Sequence, residues 1–149
     1  MRDVGIAREE LVLANIADTR NYMRAVHREG RIILDTASLP IESVLFDTGA
    51  LSASYISKQY VDTHREDLAP FIRQARGAVR LAAQNVVVPI SEVLHLTVVF
   101  THDSGQEHRA VEDYFVLPGS SNSMVVGLPS ILSRYGKFFL RMLESVMDE

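Results

Sequence analysis

From Arg31 onward the chain is a succession of short β-branched runs cut by turn residues, and that rhythm constrains the fold more than any other feature. "RIILDTASL" and "IESVLFDTGA" are separated by Pro40. "AVRL", "NVVVPI", "VLHLTVVF" and "AVEDYFVL" are broken by "AAQN", "SE" and "THDSGQEH". Several short strands at such close spacing predict hairpins that close into a mostly β barrel or sandwich. "SYISKQYVDTHRED" follows the second run, and "LAPFIRQARG", which ends in Gly77, reads as loop with a turn of helix. "SMVVGLPSILSRYG" reads as a strand, a Gly-Leu-Pro break and a short helix with Pro129 in its first turn.

The two ends differ from this pattern. Residues 1–30 are rich in Arg and Glu, with Leu11, Leu13, Ile16, Met23 and Val26 at helical spacing and Gly30 as the stop. They are expected to form a helical N-terminal extension ahead of the domain at 31–149. The tail "KFFLRMLESVMDE" fits two periods. Phe139, Met142, Leu143 and Val146 suit a helix, whereas Phe138, Leu140 and Met142 suit a strand.

Composition limits the chemistry. The chain has 149 residues, 47% of them hydrophobic and 23% charged, which suits one globular domain with a real core. A net charge of −4 argues against a nucleic-acid surface. There is no cysteine, so disulfides and Cys-ligated zinc are excluded. No apolar run approaches the roughly 20 residues of a membrane helix. An intracellular, soluble domain is therefore expected.

The chemistry centres on "LFDTGALSASYIS", residues 45–57. Asp47 ends an apolar run, where the pattern says the chain is being buried. Gly49 permits close backbone approach or a positive φ, and the Thr48 hydroxyl can lock a turn by bonding to nearby backbone. Taken alone, such a triplet is also what an ordinary turn after a strand contains. Downstream stands "MVVGLPSIL", residues 124–132: apolar β-branched residues, then Gly127, then a helix.

Together the two blocks, in this order and with hairpins between them, resemble the retropepsins, the aspartic proteases of retroviruses and LTR retrotransposons. The resemblance spans about residues 31–136, and "YFVLPGSSNSMVVGLPSIL" is similar to the second block of the retrotransposon branch. It implies a retropepsin-like closed β-barrel (half of an acid protease) with a short C-terminal helix. It also implies a homodimer, because each chain carries one Asp-Thr-Gly and the partner carboxylate is Asp47 of a second copy. Asp35-Thr36-Ala37 lacks the glycine and lies on the neighbouring strand of one hairpin, so Asp35 is read as a turn or strand residue.

By the same resemblance Asp47, Thr48 and Gly49 are catalytic, with Thr48 bonding across the dimer axis, and Val126 and Gly127 are structural at the site. Ala50, Leu51, Ser52, Ala83 and Val125 contact substrate. Leu51 and Ser52 stand where viral members usually carry acidic residues, which suggests a more apolar pocket. "VRLAAQNVVVPI" occupies the place of the flap. The implied activity, which needs no metal or other cofactor, is processing of a Gag-Pol-type polyprotein, in the cytoplasm or within virus-like particles. The other reading is a catalytically silent dimerisation or peptide-binding domain of the same fold. Two signals weigh less. "FDTGAL" echoes the haloacid-dehalogenase opening, but Gly49 stands where that motif needs a second Asp. His95, His102 and His108 cluster around a turn and are read as solvated rather than metal-binding.

Overall fold

The fold, a computed structural model that describes residues 26–81 and 86–147, is built on seven strands. They are β1 (His27–Ile33), β2 (Ser38–Asp47), β3 (Ser54–Ser57), β4 (Ile72–Leu81), β5 (Val86–Thr101), β6 (Glu107–Leu117) and β7 (Met124–Gly127). Between β3 and β4 lie α1 (Lys58–Thr63), α2 (Arg65–Leu68) and a 3₁₀ turn (Ala69–Phe71). α3 (Leu128–Arg134) and α4 (Gly136–Met147) follow β7. The strands run in the order β1-β2-β7-β3-β6-β5-β4, and β1 also pairs with β5, so six of them form a closed ring of pairings. Among the described residues β4 pairs with β5 alone, and the two form an outer hairpin.

Burial explains the strand patterns. Leu39 and Ile41 alternate with exposed residues at the start of β2, but Val44, Leu45, Phe46 and Asp47 are buried in succession. β2 has β1 on one edge and β7 on the other, and its later half is covered on both faces. The core there is aromatic. Phe46 meets Phe100 with ring centroids 5.1 Å apart and Tyr135 at 5.3 Å, both edge-on.

The ambiguous tail is helix α4. Phe138, Phe139 and Met142 are buried and Leu140 is exposed, which is the helical period and not the strand one. No helix among the described residues is long and apolar enough to cross a membrane. Three further readings change. Gly30 lies inside β1 rather than ending a helix, because a side chain there would meet the Phe100 ring at 2.8 Å where β5 approaches. "IRQARG" belongs to β4, not to a loop. "VVVPI" and "VLHLTVVF" form one 16-residue strand with the intervening Ser91 and Glu92, β5. Of the helical extension expected over residues 1–30, residues 1–25 lie outside the described ones, and residues 27–30 are strand rather than helix because they pair with β2 and, at Gly30, with β5. Asp35 sits, as expected, in the exposed bend between β1 and β2.

Candidate active site

The chain passes from β2 through residues 48–53 to β3, and β7 is threaded between those two strands. It runs parallel to β2, with Asp47 opposite Gly127 and Phe46 opposite Val126, and antiparallel to β3, with Tyr55 opposite Val125. The loop therefore crosses directly over Gly127. A Cβ at that position would lie 2.0 Å from the Ala53 carbonyl oxygen and 2.9 Å from that of Ala50. Only glycine fits.

Hydrogen bonds then fix the crossing. Asp47 Oδ1 accepts from the Gly49 N–H at 2.8 Å, and the Asp47 carbonyl accepts from the Ala50 N–H at 3.1 Å. The Ala50 carbonyl accepts from the Leu128 N–H at 2.8 Å, which ties the loop to the start of α3. Gly127 N–H donates to Ser54 Oγ at 2.9 Å. Asp47 is only 8% exposed on the single chain, and the amide aimed at it fixes how its carboxylate points. Gly49 and Ala50 are buried, Thr48 is half-buried, and Leu51 and Ser52 are exposed at the rim. Ala50 has committed its N–H and one carbonyl lone pair within the loop, so a second lone pair is its remaining main-chain contact.

Val125 and Val126 point to opposite sides of β7. Val126 is in the main core. Val125, half-buried, packs with Ala53, Phe115 and Leu117 on a second apolar cluster of Tyr55, Val79 and Ile90. Val79 belongs to β4 and Ile90 to β5, so this cluster joins the loop and β7 to the outer hairpin. The hairpin closes through the Leu81–Val86 pair. Its tip, with Ala83, lies outside the described residues.

The three histidines do not converge. His95 Nδ1 is 2.7 Å from Asp113 Oδ1, and His102 Nδ1 is 3.1 Å from Ser104 Oγ. His108 departs from the solvated expectation: it is half-buried against the Tyr135 ring and its Nε2 donates to the Arg134 carbonyl at 2.7 Å. Among the described residues no three His, Cys, Asp or Glu side chains are placed to hold a metal ion.

Three buried polar residues beside the crossing escaped sequence reasoning: Ser54, Ser130 and Glu112. The signal was present for Glu112. Along β6 the inward positions are Ala110, Glu112, Tyr114 and Val116, and a glutamate breaks that apolar alternation.

No protein-family profile matches the chain, and no curated protein matches it by sequence. Among solved structures, the retroviral protease-like domain of Ddi1 from Leishmania major is similar at a TM-score of 0.45 and 15% sequence identity. The match covers 72% of this chain and 76% of that one. A likeness at this level carries no inference about chemistry.

Proposed function

We propose that the chain is a retropepsin-like aspartic endopeptidase that works as a homodimer, with Asp47 of each subunit forming the catalytic pair. The observation that carries this reading is the threaded crossing: a carboxylate at the end of a buried strand, aimed by the Gly49 amide and seated opposite Gly127, beside an exposed rim. A turn that only reverses the chain needs no such rigid seat under its aspartate.

Two carboxylates about 3 Å apart cannot both ionise cheaply, so they share one proton. The ionised member takes a proton from a bound water as it attacks the peptide carbonyl. The protonated member donates to the carbonyl oxygen, and the roles reverse as the tetrahedral intermediate collapses to release the amine. Thr48 holds the two turns together across the dimer axis. α4 sends Phe138, Phe139 and Met142 into its own core, so the two-fold contact draws on the surface around residues 48–53 rather than on an exchanged C-terminal strand. Substrate lies between that rim and the β4–β5 hairpin, in contact with Leu51, Ser52 and Val125. An extended polyprotein segment is the substrate this cleft suits.

The test is cleavage of a peptide library at acidic and neutral pH by the wild type and by Asp47→Asn. The substitution should lower the rate at least about a thousandfold without changing the circular dichroism spectrum. Cleavage undiminished in Asp47→Asn ends this reading, and no cleavage by either protein favours the silent binding domain.

A further inference from the structure

A line of four polar groups runs from the crossing into the protein. Gly127 N–H donates to Ser54 Oγ at 2.9 Å, Ser54 Oγ lies 3.1 Å from Ser130 Oγ, and Ser130 Oγ donates to Glu112 Oε1. Ser130 has one hydroxyl hydrogen, and it goes to Glu112. Ser54 is therefore the donor to Ser130, and every hydrogen in the line points toward the carboxyl group. Ser54 is 2% exposed, Ser130 7% and Glu112 5%. Buried bonds in series polarise one another, so a change at one end is felt at the other.

We propose that Glu112 is a positioning residue for the Asp47 turn, acting through Ser130 and Ser54 on the Gly127 amide, so that its gain or loss of a proton is transmitted to the seat of the candidate catalytic carboxylate. The inference rests on the protease reading only for its consequence in catalysis; the line of bonds exists independently of it. Around Glu112, α3 and its C-terminal cap contribute Arg134 and Tyr135, and β6 itself contributes Asp113 and Tyr114. β3 presents Ser54, and β5 presents Leu96 across the strand pair. Glu112 Oε2 is buried and has no hydrogen-bond partner among the described residues. Burial raises the Glu112 pKa above the usual carboxylate range, against the lowering effects of Ser130, Ser54 and Arg134. A neutral Glu112 still accepts from Ser130 through Oε1. Once ionised, it makes that bond charge-assisted and draws the Ser54 hydroxyl, and with it the Gly127 amide, more strongly inward.

The experiment is an NMR titration of the ¹⁵N-labelled protein that follows the Gly127 amide, carried out in the Asp47→Asn background so that Asp47 cannot supply the signal. The Gly127 resonance should move with pH, inflecting above the range of a free glutamate. Glu112→Gln, which keeps an acceptor for Ser130 but cannot ionise, should abolish the movement. Ser130→Ala, which keeps Glu112 and removes the bridging hydroxyl, should reduce it, Ser54 remaining close enough to act on Glu112. A Gly127 resonance that is flat, or that titrates unchanged in either variant, overturns the proposal. In the protein with Asp47 intact, Glu112→Gln should lower kcat about tenfold with KM within about twofold, and should shift the pH profile of kcat. Equal kcat and profile would restrict Glu112 to a structural role and overturn its positioning role. If the amide titrates as expected while the wild type cleaves nothing, the protease reading fails and the coupling stands.

Discussion

The crossing beneath Asp47 and the β4–β5 hairpin above it are built on opposite plans. The crossing is held on every side: β7 has a strand on each edge, the loop over it is tied by Gly49, Ala50 and Leu128 amides, and its glycine has no spare space. Among the described residues the hairpin has one strand partner beyond itself at its base and an open edge along β4, and a Cβ added at its glycine, Gly77, would meet nothing within 4 Å. A reacting group needs its position fixed closely, whereas a cover must open and close over a chain-like substrate. The contrast between the two regions is what the protease proposed above would require.

The largest effect that could break the contrast is at Gly127. Gly127→Ala pushes a methyl into the Ala53 carbonyl and should destabilise the protein by about 3 kcal/mol, measured by urea unfolding. A near-neutral result would mean the crossing is looser than its geometry. Val125→Phe comes next. It enlarges a side chain in the cluster that joins β7 to the hairpin, and should raise KM several-fold for peptides with bulky apolar residues, with a smaller change in kcat. Equal losses of kcat for all peptides would place Val125 in the core rather than at the cleft.

A smaller effect concerns pH and stability. Glu112 is held above its ordinary pKa of 4.5 by burial, so the unfolded chain releases that proton before the folded one does. The stability linked to it is complete below pH 4.5 and is lost as pH rises through the folded-state value. Unfolding free energies taken across this window should fall with rising pH in the wild type, and Glu112→Gln should flatten that part of the curve. The smallest effect belongs to the hairpin. Gly77→Ala meets no obstacle and should be neutral or stabilise by about 0.4–1 kcal/mol. A loss as large as that at Gly127 would erase the distinction between the two regions.

The same contrast decides what the sequence revealed. The crossing was legible because its demands fall on residue types: a carboxylate after an apolar run, a glycine where no Cβ fits, and a proline opening α3. The hairpin is hard to recognise in the sequence because little among the described residues covers it. β4 is an edge strand, so Arg73, Gln74, Arg76 and Gly77 are exposed and disguise it as loop. Ser91 and Glu92 read as a break between two strands, yet both lie inside β5, where among the described residues 86–92 pair with β4 alone and polar side chains and Pro89 are tolerated. The tail was undecided until the core showed which side chains it receives: Phe138 and Phe139 are adjacent, and both are buried. The line from Ser54 to Glu112 joins residues from three separate elements, so no local pattern announces it as a unit.

The most direct measurement is calorimetric titration of the chain with a statine-type peptide, a mimic of the tetrahedral intermediate, alongside sedimentation of the free and bound protein. One inhibitor should bind per two chains, with association of the chains on binding and no binding to Asp47→Asn. One inhibitor per single chain, or equal binding to Asp47→Asn, would contradict a catalytic pair formed from two copies of Asp47.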